Sequence, residues 1–375
     1  MNGRFLSRCL AAPPALGLLV LILLATPVHA DSSGALTAEA ERLEQRLRDS
    51  PRRLPEDHEL VVHLRELVCV LDEKRCGGLR LYVLRSPQAN AFMLPNGAMA
   101  LFTGLMLRTV EEAELAFVIA HEIGHYAERH SEERWTTLHR TGNLLNLVAF
   151  AAGATGEYQA GAIAEFGIVA ALFAYSRDQE READRFAVER MTAAGYPLRA
   201  GAELFAGLLA EERARPTAIP TLFATHPPTR ERVRTLERLA ASAPEIAVPR
   251  DGSRWRSLRA RHLEAWLDDE LGRRSRADSL VLLERLERSG DPPEILRPRR
   301  AEILRRSGKP EDLAEAARLL EALVEEGQAS ARAWRLLGQV AKARGDQAKA
   351  REAFRRYLEL EPEAPDRALI EWEMQ

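Results

Sequence analysis

The sequence lacks a hydrophobic run long enough to cross a membrane. The apolar stretch Ala15–Ala25 has eleven residues, whereas a membrane-spanning helix needs about 20. The small-residue stretch Leu144–Ala174 is longer, but polar residues divide it into pieces that are too short. These residues are Glu157, Gln159 and Glu165. We interpret the stretch as two packed helices, and contact with a membrane surface stays open.

The N-terminus has the layout of a secretory signal peptide. Arg4 and Arg8 precede the apolar stretch, and the small-residue site Val28-His29-Ala30 follows it. Cys9 precedes the apolar core, so no lipoprotein signal is visible. We therefore predict that residues 1–30 are a cleaved signal peptide and that the protein is exported. A membrane anchor formed by an uncleaved signal is the alternative.

The sequence also lacks an excess of positive charge. Its formal net charge is −3, and it becomes −5 without the two arginines of residues 1–30. Because nucleic-acid-binding domains are typically basic, this balance argues against nucleic acid as the main partner. The remaining 345 residues are enough for two domains that each bury a core.

Cysteine is scarce as well. Beyond the signal peptide only Cys69 and Cys76 are present. In an exported protein, two cysteines seven positions apart suggest a disulfide that closes a small loop before the first predicted strand. Two free buried thiols or a weak metal-binding pair are the alternatives.

Against these absences stands the segment Ala113–His130, which contains the pattern H-E-x-x-H at His121, Glu122 and His125. Residues four apart lie on one face of a helix, so both imidazoles can bind the same cation. Neutral imidazole suits Zn²⁺, and Glu122 lies where it could take a proton from an activated water. The motif therefore predicts metal-assisted hydrolysis. Two ordinary helical histidines beside a carboxylate are the alternative.

The residues around this motif predict a helix. Thr109 and Glu112 make a capping box, which marks its start. An apolar surface precedes the histidines, and no proline interrupts the pattern up to Trp135. The apolar surface consists of Leu115, Ala116, Val118 and Ile119.

A catalytic zinc site usually needs a third protein ligand and an open position. Residues Tyr175–Val188 predict a second helix, with Glu180 and Asp184 one turn apart. Glu180 could complete a two-histidine, one-glutamate set, and Asp184 could accept the outer N–H of a ligating histidine. A solvated charged face is the alternative, because charged residues surround both positions.

These motifs resemble those of the HtpX/BepA/Oma-type gluzincin peptidases, which belong to peptidase family forty-eight. The resemblance rests on His121–His125, on the E-x-x-x-D pattern Glu180–Asp184 and on Thr225-His226-Pro227, and it covers roughly Leu60 to Leu239. It implies one Zn²⁺ per chain, bound by His121, His125 and Glu180. It also implies that Glu122 is the general base, that Asp184 supports a ligand, and that His226 lies near the site.

His226 lies in a loop rich in turn formers, Pro216–Pro228, before a helix whose predicted cap is Thr229. A histidine near the metal could stabilise the oxyanion that forms from a peptide carbonyl. It could instead fill the open zinc position and keep the enzyme latent. Both roles are open at this stage, beside that of an ordinary surface histidine.

A strand and a hairpin precede the motif helix. Leu79–Leu84 predicts the strand, and Asn90–Leu94 leads through a Pro-Asn-Gly turn into Ala98–Phe102. In the family that the chain resembles, an edge strand here holds extended substrate by backbone pairing. The resemblance therefore implies substrate-binding candidates at this turn, and a purely structural hairpin is the alternative. The candidates are Asn96, Gly97 and Ala98.

A change of composition at Ala241–Gly252 predicts a linker, and short amphipathic helices follow it. Ala331–Pro362 matches the tetratricopeptide pattern, and a degenerate copy precedes it. The matching positions are Trp334, Leu337, Gly338, Gly345, Ala350, Phe354 and Pro362. Trp255–Leu271 and Ser279–Arg288 are candidates for a further helix pair. An unrelated helical bundle is the alternative.

The predicted fold class is α+β, mainly α. Residues 31–242 form a metallopeptidase domain with an active-site helix and a small β-sheet, residues 243–253 a linker, and residues 254–375 an α-solenoid of tetratricopeptide-type repeats. This order resembles BepA-like periplasmic peptidases. It implies a periplasmic zinc metalloendopeptidase in quality control or assembly of outer-membrane proteins.

The same resemblance sets the expected partners. Misfolded or unassembled envelope proteins are the expected substrates, and the repeats are expected to engage the outer-membrane assembly machinery. The alternative is a latent protease that acts mainly as a periplasmic chaperone or adaptor through its repeats.

Overall fold

A computed structural model of the chain describes residues 32–140, 175–215, 226, 229–242, 250–273 and 275–375. The predicted signal peptide, the stretch 144–174, the loop around His226 and the centre of the predicted linker lie outside these residues. Within them the chain is mainly helical with one small sheet, which confirms the predicted class. None of the described helices is both long and apolar enough to cross a bilayer.

The sheet has a central strand with a neighbour on each side. Its strands are β1 (Arg80–Leu84), β2 (Ala91–Met93) and β3 (Ala98–Phe102), in the order β1–β3–β2. β3 pairs parallel with β1 and antiparallel with β2, which confirms the predicted hairpin. The turn between β2 and β3 uses a positive φ of 87° at Gly97, which glycine adopts readily. β2 is therefore an edge strand of this sheet.

Helices precede and follow the sheet. Before it lie α1 (Ser32–Asp49), α2 (Glu59–Leu71) and α3 (Glu73–Cys76). After it come α4 (Thr103–Arg108), α5 (Glu112–Ala127), α6 (His130–Arg140), α7 (Arg177–Ala194), α8 (Arg199–Ala214) and α9 (Arg230–Ser242). Cys69 in α2 and Cys76 in α3 form a disulfide, with their Cα atoms 4.9 Å apart.

Successive strand residues point to opposite sides of the sheet. Both faces of this sheet are covered by packed side chains. Val83 and Leu101 belong to the larger core, together with residues of α2 and α5. Tyr82 and Ala100 face the other way and pack with residues of α1 in a separate cluster. This arrangement explains why the strands, apart from Arg80 at the start of β1, are apolar instead of alternating with polar residues.

The motif helix differs from its prediction at both ends. The predicted capping box at Thr109 and Glu112 is wrong, because the Thr109 hydroxyl donates to the carbonyl of Met106 in α4, at 3.1 Å. Glu111 and Glu114 form the capping box instead, so α5 begins at Glu112. α5 ends at Ala127 although no proline follows, and a separate helix, α6, begins at His130.

The C-terminal region consists of helices joined by short turns. They are α10 (Ser253–Gly272), α11 (Ala277–Arg288), α12 (Pro293–Ser307), α13 (Pro310–Glu325), α14 (Ala331–Ala343), α15 (Gln347–Leu360) and α16 (Arg367–Glu373). α14 and α15 pack so closely that a Cβ at Gly338 would lie 2.5 Å from the Phe354 ring. Gly338 and Phe354 are both matching positions of the tetratricopeptide pattern. The assignment of these helices to tetratricopeptide repeats stays a prediction.

The larger core continues across the predicted linker. Trp255 and Leu263 of α10 share that core with Phe117 of α5. Three successive carbonyls at the C-terminal end of α4 also accept hydrogen bonds from α10 and α11. The bonds are Arg259 Nη2 to Leu107 O (3.2 Å), Arg285 Nη2 to Arg108 O (2.7 Å) and Trp255 Nε1 to Thr109 O (3.1 Å). The segment that leads into α5 is therefore bound by helices that follow the linker.

A buried ion network strengthens the same contact. Arg108 is 0% exposed. Its Nε lies 2.7 Å from Glu211 Oε2 of α8, and its Nη2 lies 3.1 Å from Glu270 Oε2 of α10. Both carboxylates are buried as well. Glu270 has a second cation, Arg273, at 2.8 Å, whereas the second cation of Glu211, Arg285, lies 4.0 Å away, so Glu211 depends mainly on Arg108.

We expect Arg108→Met to lower the free energy of unfolding by about 3–5 kcal/mol, because it leaves the buried Glu211 carboxylate with no close cation. Arg85→Met is the matched control. Arg85 also binds α10, at Asp269 with 2.9 Å, but it is exposed, so the loss should stay below about 1 kcal/mol. Urea denaturation followed by circular dichroism measures both, and equal losses would contradict the assignment.

Candidate metal centre

The close approach of two helices builds the site. A Cβ at Gly124 of α5 would lie 3.1 Å from the Cα of Ala183 in α7, so the backbones nearly touch there. Both residues lie inside the sequence motifs, Gly124 between Glu122 and His125 and Ala183 before Asp184. The contact therefore brings the two motifs face to face.

The three predicted ligands, His121, His125 and Glu180, meet across this contact. His125 Nε2 lies 3.1 Å from His121 Nε2. The Glu180 carboxylate lies 3.4 Å from His121 Nε2 and 3.6 Å from His125 Nε2. All three side chains are buried.

His226 joins the same group. Its Nδ1 lies 2.9 Å from Glu180 Oε1 and 3.3 Å from His121 Nε2. The ligand atoms of His121, His125, Glu180 and His226 all lie within 4.8 Å of one another. Three imidazole nitrogens and one carboxylate oxygen thus converge on one point, and this donor set is typical of zinc. The residues present fit a zinc ion.

Glu122 lies beside the cluster and also faces the sheet edge. Its Oε1 is 3.4 Å from His226 Nε2, and its carboxylate accepts a hydrogen bond from the backbone N–H of Met93 in β2. Burial raises the pKa of the Glu122 carboxyl to about 7. A carboxyl with a pKa near neutrality can both accept and return a proton.

Asp184 lies where the sequence places it, with Oδ1 3.1 Å from His121 Nδ1. Its other partner is Arg232, which the sequence reasoning missed. Arg232 donates to both oxygens of Asp184, at 2.7 and 2.9 Å, and also lies 2.5 Å from Glu180 Oε2. The buried guanidinium of Arg232 therefore contacts the ligand Glu180 directly. It also contacts Asp184, the partner of the ligand His121.

Two structural features position Arg232. The Thr229 hydroxyl accepts from the backbone N–H of Arg232 at 3.1 Å, so the predicted cap is present at the start of α9. The guanidinium also lies over the Phe205 ring, 4.3 Å from its centroid. Arg232 lies three residues after the predicted cap Thr229. This spacing is the one feature of the sequence that could have pointed to Arg232. An arginine in a charged segment is otherwise unremarkable.

The charges inside the site follow from these contacts. Burial opposes ionisation of Glu180, but His226 and Arg232 hold the pKa of Glu180 well below its usual range. Burial likewise opposes ionisation of Asp184, and Arg232 lowers the pKa of Asp184. Burial and the neighbouring His121 lower the pKa of His125 well below its usual range. Glu180 is therefore a carboxylate and His125 a neutral imidazole, which are the forms that bind a metal.

The substrate candidates Asn96, Gly97 and Ala98 lie at the turn between β2 and β3 and at the start of β3. The Asn96 amide donates to Glu44 Oε2 of α1 at 2.7 Å, and Ala98 belongs to the central strand, paired with Arg80. A strand paired on both sides cannot accept another strand. The prediction of a substrate edge therefore fits β2 better than these residues.

Among the described residues no strand pairs with the outer edge of β2, and this edge can be located from the hydrogen bonds of the strand. Leu94 N donates to Ala98 O at 2.7 Å, and Phe102 N donates to Asn90 O at 3.1 Å. In an antiparallel pair the backbone groups of alternate residues point away from the partner strand, so those of Ala91 and Met93 point outward. Met93 is the residue whose N–H reaches Glu122, so this edge runs past the metal cluster.

Comparison with known proteins agrees with the site. The profile of peptidase family M48 matches residues 57–240. A protease HtpX homolog of Acidiphilium cryptum is 32% identical over 200 residues, which cover 43% of this chain and 68% of that protein. The chain therefore belongs to peptidase family M48. Zinc is the metal of this family, in agreement with the donor set.

Two further relatives are longer than the matched region. The mitochondrial metalloendopeptidase OMA1 of Schizosaccharomyces pombe is 31% identical over 173 residues, 46% of this chain and 49% of that protein. A putative beta-barrel assembly-enhancing protease of Vibrio cholerae is 32% identical over 176 residues, 44% of this chain and 36% of that protein. The chain spans about half or less of these two relatives.

We expect Arg232→Lys to weaken zinc binding about 10–100-fold, because one ammonium cannot hold Asp184 at both oxygens and also reach Glu180. Competition with a chromophoric chelator measures the affinity. Arg234→Lys, two positions along α9 and exposed, is the control and should bind zinc like the unmodified protein. Unchanged affinity in the Arg232 variant would refute a supporting role for this guanidinium.

Proposed function

We propose that this protein is a zinc-dependent metalloendopeptidase. The observation that carries the proposal is the convergence of His121, His125 and Glu180 beside a buried Glu122 whose pKa is about 7. Ligands and a proton acceptor at this spacing serve the hydrolysis of a peptide bond. Membership of family M48 supports the same reaction.

The residues divide the work. Zinc, when bound, lowers the pKa of a water molecule and polarises the scissile carbonyl. The Glu122 carboxylate would accept a proton from the attacking water and return it to the leaving amine. An extended substrate pairs with the outward backbone groups of Ala91 and with the outward carbonyl of Met93, which aligns it along the edge beside Glu122.

His226 keeps the site closed in this proposal. Its Nδ1 lies within 4.8 Å of the other three ligand atoms, so it supplies a fourth donor where a hydrolytic site leaves an open position. Displacement of His226 is then required before a substrate carbonyl can enter. We therefore favour latency over oxyanion stabilisation for His226. A residue that stabilises the oxyanion would leave the open coordination position free for the substrate.

We further propose that the protein acts in the bacterial envelope, in quality control or assembly of outer-membrane proteins. The predicted signal peptide and the relative named a beta-barrel assembly-enhancing protease support this role. The helices after α11 would then engage the substrate or the assembly machinery, as the tetratricopeptide pattern suggests.

A chaperone or adaptor role is the second candidate, and one observation favours it. His226 supplies a fourth donor, which would leave no open position on a bound metal, and the helical region could then act by binding alone. The two functions differ in whether Glu122 is needed.

We expect Glu122→Gln to bind one zinc per chain and to lose about 10²–10⁴-fold in peptidase rate, because the amide cannot accept the proton. Metal analysis and hydrolysis of an unfolded protein substrate measure the two effects. Glu128→Gln, exposed at the end of the same helix, is the control and should stay active. Full activity of the Glu122 variant would refute the peptidase assignment. Rescue of envelope assembly by this variant in a deletion strain would favour the adaptor role.

We expect His226→Ala to raise the basal peptidase rate, because it removes the fourth donor and opens a coordination position. The assay uses the purified protein without any partner. His262→Ala is the control, because His262 lies on α10 and contacts Glu59 of α2. A rate lowered about 10²–10³-fold would instead assign His226 to oxyanion stabilisation.

A further inference from the structure

We propose that His130 and Glu182 are positioning residues for His125. They form a hydrogen-bonded chain that fixes the orientation and the proton position of that ligand. The inference rests on the proposed zinc site and adds two residues that neither sequence motif contains in a functional role. Neither residue touches the cluster of ligand atoms itself.

The chain runs from the ligand to the surface. His125 Nδ1 lies 2.9 Å from His130 Nδ1, and His130 Nε2 lies 3.0 Å from Glu182 Oε2. His130 is 1% exposed, whereas the Glu182 side chain is 45% exposed. A buried imidazole thus connects a ligand to a carboxylate at the protein surface.

The positions of the protons follow from this geometry. His125 Nε2 faces the other ligand atoms, 3.1 Å from His121 Nε2, so metal binding requires its hydrogen on Nδ1. His125 Nδ1–H then donates to His130 Nδ1, and the hydrogen of His130 is on Nε2. Glu182 is a carboxylate acceptor, so His130 Nε2–H donates to it. One set of tautomers satisfies both hydrogen bonds and the metal.

The two ligating histidines are therefore supported differently. The outer nitrogen of His121 faces the buried carboxylate of Asp184 directly, at 3.1 Å. The outer nitrogen of His125 faces His130, and the carboxylate lies one residue further out. A supporting hydrogen bond of this kind orients the ring and increases its basicity as a ligand.

An unusual backbone conformation places His130. Among the described residues, Arg129 alone combines a side chain with a positive φ, 58°. This left-handed conformation is disfavoured for a residue that has a Cβ. It separates α5 from α6 and turns the chain so that His130 points back at His125. Backbone strain of this kind is characteristic of functional sites.

Tyr175 supports the His125 ring from another side. Tyr175 stacks on His125, with ring centroids 3.8 Å apart and planes inclined by 14°. Its hydroxyl forms a 2.8 Å hydrogen bond with Ser131, the residue after His130. The stack fixes the plane of His125, and His130 fixes the direction of Nδ1 within that plane.

The test measures zinc affinity, by chelator competition, in the full chain. His130→Phe keeps a ring but removes the acceptor, and we expect a loss of about 10–100-fold. His130→Asn keeps an oxygen close to the position of Nδ1 and should recover most of that loss. Glu182→Ala should cause a smaller loss, because the bond between His125 and His130 remains. Glu189→Ala, exposed two turns along the same helix, is the matched control and should bind normally.

The outcomes separate this inference from the proposed function. If the unmodified protein binds zinc and Asp184→Asn weakens it, but His130→Phe and Glu182→Ala bind normally, the inference is overturned. If the unmodified protein fails to bind one zinc, the proposed zinc site itself is wrong. Should His130→Phe not fold by circular dichroism, the comparison of Glu182→Ala with Glu189→Ala decides, and equal affinities overturn the inference.

Discussion

The contact between Gly124 and Ala183 is the constraint on which the site depends. A Cβ on Gly124 would lie 3.1 Å from the Ala183 backbone, so the distance between α5 and α7 is set by the absence of a side chain. Ligands from two different helices reach one point only if the helix axes are this close. The rings of His121 and His125 and the carboxylate of Glu180 are short side chains that cannot bridge a wider gap.

The close contact of the helices also places several charged side chains in a buried site, which is unfavourable unless the charges are compensated. Glu122, Glu180 and Asp184 are three buried acidic groups, and Arg232 is the cation that contacts two of them. A divalent metal would balance the remaining two negative charges. Without the metal the balance is poor, in agreement with the raised pKa of Glu122. Charge compensation and zinc affinity thus depend on the same residues.

Local periodicity explains what the sequence could predict. His121 and His125 lie four apart on one helix, as do Glu180 and Asp184, and a regular helix turns each pair to one face. The strands and the hairpin followed from apolar runs around a glycine turn. Arg232, His130 and the edge at Met93 depend on contacts between elements, which no spacing within one element encodes. Thr109 shows the same limit, since its hydroxyl was used by the preceding helix and not by the following one.

The hydrogen bonds from Arg259, Arg285 and Trp255 to three successive carbonyls have a consequence for how this architecture can be recombined. A chain cut at the predicted linker would expose the apolar side of α5 and remove the partners of its leading segment. Exchange of the C-terminal helices between relatives would therefore have to keep α10 and α11 together with the metal centre. By this criterion the unit of inheritance is longer than the region that carries the catalytic motifs.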